Sequence, residues 1–522
     1  KQYLQRLQIY LESLDRHPAI YSAKINDEYP PRRQPDFSPE SKAAFKEFAG
    51  IDIPAQVEGQ RGPSYLQLSN FPLDGVLLEN HPLLTYYHWF WTMGSGWEPL
   101  QSDIAKTYQR HWGDDFVSIH PPATRCPPYW GGGGEVSWVQ NWTYINPNPS
   151  RILLSCDELR ALAKGRPGQK IFNSIQGIAY RRDLAPRNVI PSPAPAWLEN
   201  EMDSSYISPA PDAIREAFWC LLSRQVAAIG TFGTGSLFAS TSPSTDHRFT
   251  NPESGKVFSE MIRKVMQPLS PMLLKLPEIE AEIAILESFS NVIFGGNHTN
   301  SWSSGRIGDL HMALQYAGLQ TSVVYEDELL AGGGGRLRLL FLPGLETVSA
   351  ALHARLQELQ KAGLILVGDE LTYAALTPDF RLHSLVSNPK LPQRAKQQQQ
   401  AQGKTILAML KDVYRPTMRR EQDDVLLQCR RFNEAEYLFV INDRRVFGDY
   451  LGAWGLMEEK GLPIETELSL DSKYDQAYDL VSHRAVELDS EAQGSRLKLR
   501  LEAGDGRLLM LLRRQKIARL EL

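Results

Sequence analysis

Between Tyr21 and Glu28 the chain alternates with a period of two: Tyr21, Ala23 and Ile25 share one parity, and Ser22, Lys24, Asn26 and Glu28 share the other. A period of two is the signature of a strand with one apolar and one polar face. Here the polar face ends in a carboxylate just before Pro30-Pro31. That pattern describes a barrel strand whose outer face packs on helices and whose C-terminal tip carries chemistry. Lys24 and Asn26 fall on the lumen-facing side with Glu28. A nearby amine favours the charged form of a carboxyl, whereas a proton donor works best with a raised pKa.

From residue 1 to about 275, β-like runs alternate with α-like ones. Helices are expected over 39–48, 83–91 and 100–111, and strands over 116–120, 135–140, 170–176 and 226–232. Strand–helix alternation predicts a parallel sheet or barrel. From about 276 to 395, short β-branched runs (282–286, 320–325, 338–342, 364–368) alternate with helical patterns over 307–316 and 347–362. These indicate a small doubly wound α/β domain. Lys396 to Gln402 is a low-complexity polar patch, read as a linker or an exposed helix. Residues 405–522 are rich in strands punctuated by Asp, Gly and Asn, the pattern of a small antiparallel sandwich.

The segment His17-Pro18-Ala19 leading into Asn26-Asp27-Glu28-Tyr29 resembles the fourth barrel strand of the clan A (β/α)8 glycoside hydrolases, closest to the family 42 β-galactosidases. The resemblance implies an α/β, TIM-barrel-like catalytic domain. It makes Glu28 the general acid/base, with Asp27 standing where the family has Asn. The five strand-like runs become strands four to eight. Five strands cannot close an eight-stranded barrel, so three βα units, on the order of 100 residues, are expected ahead of Lys1. Residues 276–395 resemble the family's amidotransferase-like domain, which mediates trimer contacts there, so a homotrimer or homodimer is expected. The segment holds no Cys to serve as an amidotransferase nucleophile.

Glycoside hydrolysis places two carboxyls across the scissile bond. By the resemblance, the second belongs at the tip of the strand ending in Gln176, and an amide cannot form a glycosyl-enzyme. Three readings stay open. A loop acid (Glu199, Glu201 or Asp203) enters the site; Asp27 acts through water or the substrate supplies its own nucleophile; or the barrel binds glycans without turnover. Further candidate ligands stand at predicted strand tips: His120, then Gln140, Asn141 and Trp142, the last able to stack on a sugar ring. Arg181 and Arg182 suit an anionic substituent or a solvated face. Asp246 and His247 occupy a loop similar to an acidic, His-containing one in the family.

Composition excludes other classes. The net charge of −5 and the absence of a basic, aromatic-interleaved patch give no nucleic-acid footprint. No apolar run reaches the roughly 18 residues of a membrane-crossing helix. The four cysteines form no CxxC pair, so no metal site, cofactor or disulfide framework is indicated. The glycine runs 131–134 and 332–335 lack the residues of a phosphate loop. The expectation is a glycosidase acting on an oligo- or polysaccharide, β-galactosidase-like by resemblance. Its competitors are a non-catalytic glycan-binding or assembly protein and a uronate lyase. The compartment is open between a bacterial cytoplasm and a secreted or periplasmic location.

Overall fold

The computed structural model describes residues 2–14, 20–25, 35–57, 74–94, 96–120, 126–180, 206–238, 251–277, 280–295, 305–389, 391–446, 460–491 and 494–513. Its first sheet has five parallel strands: β1 (Ser22–Lys24), β2 (Val117–His120), β3 (Trp138–Tyr144), β4 (Lys170–Gln176) and β5 (Ala228–Phe232). They are hydrogen-bonded in sequence order, β1-β2-β3-β4-β5, and curl into a half-barrel. Among the described residues this sheet does not close. The alternation at Tyr21–Ile25 forms a strand as expected, and its ladder extends one residue at each end through Val117 N to Tyr21 O and Ile25 N to Ile119 O, both 2.9 Å.

Helices α1 (Ile152–Ala163) and α2 (Pro211–Leu222) cover the outer face of the sheet. Ile152, Leu153, Ile175, Ala217, Phe218 and Trp219 build the core between them. β3 starts three residues later than the apolar pattern predicts and runs to Tyr144. Gly131 and Gly134, both with positive φ, turn the chain just before it, and Glu135 is bound by Arg166 instead of entering the ladder.

The second sheet is also parallel. It contains β6 (Ile283–Glu287), β7 (Thr321–Tyr325), β8 (Leu339–Phe341), β9 (Ile365–Asp369) and β10 (Phe380–Leu382), ordered β7-β6-β8-β9-β10. This is the 2-1-3-4-5 order of one doubly wound topology. Its first strand reads entirely buried, as expected for a sheet covered on both faces. A two-residue ladder, Val76–Leu77 with Val348–Ser349, ties this unit back to the barrel region.

Residues 396–402 are a correction. The low-complexity patch is not a linker but the middle of α3 (Pro392–Leu410), and it is not simply exposed. Gln399 is buried and donates to Asp309 Oδ1 at 2.7 Å. Lys396 is buried between Asp424 Oδ1 at 2.9 Å and Asp443 Oδ2 at 3.0 Å. Low complexity here encodes a stripe of long polar side chains that satisfy buried acceptors. Beyond α3, two antiparallel sheets of four and five strands enclose a core that includes Leu438, Leu468, Leu497 and Leu509.

The barrel and the second sheet meet through buried charges. Asp157 on α1 receives Arg224 Nε at 2.8 Å and His311 Nε2 at 2.9 Å. Burial alone would raise its pKa, but these two partners hold it below the usual carboxylate range. The next residue behaves oppositely. Glu158 and Glu287 are both buried against each other, and desolvation followed by mutual repulsion pushes Glu158 well up. Burial pushes Glu287 up to about 7.

A carboxyl whose folded pKa lies above its unfolded value stabilises the fold fully only below the unfolded pKa. That contribution is lost as pH rises through the folded value. The window therefore runs from about 4.5 to about 7. In thermal unfolding scanned across pH 5 to 8, Glu287→Gln is expected to lose less stability than the parent, by on the order of 1 kcal/mol per pH unit. Parallel curves for the two proteins would refute the assignment.

Candidate functional site

The pleat decides which side chains enter the half-barrel. Because β3, β4 and β5 pair in parallel register, their lumen-facing residues stack in layers. The uppermost layer, at the C-terminal tips, is Tyr144–Gln176–Phe232. Below it lies Trp142–Ser174–Gly230, and below that Gln140–Phe172–Ala228. Lys24 joins from β1 in register with Ile119, which pairs with Trp138 one layer lower. Its ammonium reaches up to stand 5.4 Å from the Trp142 ring centroid.

Apart from Ala228, Ile119 and Trp138, these residues, with Thr231, line a cavity of about 240 Å³ at the C-terminal end of the sheet. Its chemistry is mixed. Trp142, Tyr144, Phe172 and Phe232 supply flat apolar faces, and Phe232 is 53% exposed at the rim. Gln140 Nε2 donates to Ser174 Oγ at 2.9 Å across the floor. The Oε1 atoms of Gln140 and Gln176 are buried and have no hydrogen-bond partner. Outward from the rim, Tyr144 and Tyr180 share a hydroxyl contact of 3.1 Å, and the Tyr180 ring lies 5.2 Å from that of Tyr206. None of the described residues lining the cavity is acidic.

Of the residues expected from sequence, Gln140, Trp142 and Gln176 come together here, with Lys24 opposite. Asn141 does not. It has the other parity and lies on the helix-facing side, where its Nδ2 donates to Ser155 Oγ of α1 at 2.8 Å and its Oδ1 accepts from Trp142 N. Asn173 donates to the same hydroxyl at 3.0 Å. Asn141 thus fastens the sheet to its covering helix and does not line the cavity, where it had been expected as a candidate ligand. His120 ends β2 paired with Val139, and its side chain lies outside the described residues. Asn26, Asp27, Glu28, Arg181, Arg182, Glu199, Glu201, Asp203, Asp246 and His247 also lie outside them.

Sequence reading passed over Tyr144, Phe172, Ser174, Gly230 and Phe232. Counting back by twos from Gln176 yields Ser174 and Phe172, so the signal for those two was present. Among the described residues no group of three or more His, Cys, Asp or Glu could hold a metal ion, and no helix is long and apolar enough to cross a membrane.

The arrangement has structural counterparts. A family 42 β-galactosidase from G. stearothermophilus superposes with a TM-score of 0.59 at 11% identity, covering 98% of this chain and 81% of that one. A β-galactosidase from Bacillus circulans sp. alkalophilus gives 0.58 at 12% identity over 98% and 82%. An α-L-fucosidase isoenzyme 2 from Paenibacillus thiaminolyticus gives 0.53 at 11% identity over 79% and 70%. The chain therefore shares the fold of clan A glycoside hydrolases, as the segment at 17–29 led one to expect. No family model and no curated protein sequence matches it.

Cavity width depends on Gly230. A Cβ there would sit 2.5 Å from Phe172 Cζ and 2.8 Å from Ser174 Oγ, whereas one on Gly335 would meet nothing within 4 Å. Overpacking of this kind costs about 1–3 kcal/mol. Gly230→Ala is expected to lower the melting temperature measurably and Gly335→Ala to leave it unchanged. Equal behaviour of the two variants would show that the sheet does not hold Phe172 against Gly230.

Proposed function

We propose that the chain is a glycoside hydrolase acting on an oligo- or polysaccharide, with Glu28 as general acid/base. The observation that carries the reading is the cavity's position and lining. It opens at the C-terminal tips of a curled parallel sheet, where barrel enzymes place their chemistry, and it combines aromatic faces with buried amides. Flat rings suit the apolar faces of pyranoses, and amides suit their hydroxyls. Glu28 lies four residues beyond Lys24 in the sequence with the same parity, which supports assigning it to the same polar face. The solved structures that share the fold include β-galactosidases, which makes a β-galactoside the first substrate to try.

Gln176 favours a second reading. It occupies the tip of β4, where the resemblance calls for a nucleophilic carboxylate, and an uncharged amide there suits a barrel that binds glycans without cleaving them.

A panel of chromogenic glycosides and polysaccharides, assayed with the parent chain and Glu28→Gln, separates the two. Loss of a general acid lowers turnover about 10²–10⁴-fold. A parent that hydrolyses a glycoside and a variant reduced to that extent are the expected results. Saturable glycan binding with no turnover by the parent would replace the hydrolase reading with the binding one.

A further inference from the structure

We propose that a proton shared between Glu158 and Glu287 latches the second parallel sheet to the half-barrel, and that the junction loosens as this proton is lost. The proposal does not depend on what the cavity binds. Glu158 belongs to α1, which covers the half-barrel, and Glu287 ends β6 of the other sheet. The two side chains are 1% and 3% exposed, and their carboxyls hydrogen-bond each other across the junction. An ionised carboxyl offers acceptors only, so a bond between two of them requires that one hold a proton. No other described group supplies the hydrogen: neither oxygen of Glu158, nor Oε1 of Glu287, receives an N–H or O–H from elsewhere.

The surroundings do not replace that proton with a cation. Asp157, adjacent on α1, already engages Arg224 and His311. Arg160 and Lys164 line a cavity with Asp157 that Glu158 does not line, and Lys164 pairs there with Glu328 at 2.8 Å. From the second sheet, Tyr325 stands in register with Glu287 and donates its hydroxyl to the Glu158 carbonyl at 3.3 Å. Glu326 accepts from Ser288 and Ser290, and Asp327 accepts from Trp130 N at 3.0 Å. Cys126 lies near Tyr325. Among the described residues no cation pairs with either carboxyl of the latch.

Burial, then the facing Glu287, raises the Glu158 carboxyl well above the usual range, and burial raises that of Glu287 to about 7. Folded values above the unfolded ones stabilise fully below about 4.5, and the contribution is lost as pH rises through the folded values. Water entering an opened junction restores ordinary carboxyls. Each proton released on opening therefore makes opening about tenfold easier per pH unit between about 4.5 and 7. Leu154, Leu159 and Leu162 of α1 pack with Val323 and Tyr325 of β7 and still hold the junction once the proton has gone. The loosening is a local opening, not a separation of the two units. Because α1 also holds β3 and β4 through Ser155, the latch lies one helix away from the cavity wall.

Amide hydrogen exchange of the whole chain, read by mass spectrometry at pH 5, 6, 7 and 8 and corrected for the intrinsic pH dependence of exchange, tests the latch. Opening over 152–163, 283–287 and 321–325 is expected to rise about tenfold per pH unit from pH 5 to 7. The paired strands Ile464–Leu470 and Gly494–Leu501 of the C-terminal region are expected to keep their protection. The double variant Glu158→Gln/Glu287→Gln faces one amide with another, which hydrogen-bond without a titrating proton, and is expected to flatten the junction's profile. Junction protection in the parent that ignores pH, or that falls together with that of the C-terminal strands, would overturn the proposal whether or not the double variant folds. An unchanged pH profile in the folded double variant would overturn it as well.

Discussion

A carboxylate buried as deeply as that of Asp157 stays ionised only if polar partners reach it, and the two that do, the Arg224 guanidinium and a His311 ring nitrogen, come from different parts of the chain. Arg224 follows the second helix that covers the half-barrel, and His311 lies on the helix over 306–316 that flanks the second sheet. Removing Arg224 would strand the Asp157 charge in a low-dielectric interior, where breaking a buried pair costs about 3–5 kcal/mol. The Arg224–Asp157–His311 contacts therefore fix where the helix Ile152–Ala163 sits between the two units. That helix in turn binds the sheet through Ser155, which receives both Asn141 and Asn173. With one parity of the strands fastened outward, the other is committed to the lumen. The cavity is a consequence of that fastening.

A second buried network joins the C-terminal region. Asp443 accepts from Tyr316 at 2.6 Å and pairs with Lys396, while Arg445 reaches Glu216 on the helix Pro211–Leu222. Trp219 on that helix donates its indole N–H to Asp505 at 3.2 Å. Buried polar networks of this kind restrict the number of ways the parts can dock, because each displaced partner leaves an unsatisfied group behind. The half-barrel, the second parallel sheet and the C-terminal sheets are thereby held in one arrangement by polar contacts as well as by a shared apolar core.

Much of this architecture was legible in the sequence because its signals are local. Period-two alternation found β1, and β-branched runs between helices found the strands from Ile283 to Asp369. What escaped depends on long-range partners. The glutamine run at 396–400 looked featureless because its acceptors, Asp309, Asp424 and Asp443, come from distant segments. Asn141 was counted with Gln140 and Trp142 as a candidate ligand at a strand tip, but successive residues of a strand face opposite sides, so it cannot share a face with both. The aromatic rim residues Tyr144 and Phe232 gave no sign of themselves, since an exposed aromatic at a strand tip reads the same in sequence as one in a core.

The helix Pro392–Leu410 changes what the C-terminal region is able to do. A flexible polar tether would let an appended unit sweep a volume around the half-barrel and hold a polymer nearby by raising its local concentration. A nineteen-residue helix with buried side chains on both of its ends instead acts as a strut. The C-terminal sheets ride at a fixed distance and angle from the barrel. Any help they give in gathering a ligand must come from a surface already aligned with the cavity, and not from reach.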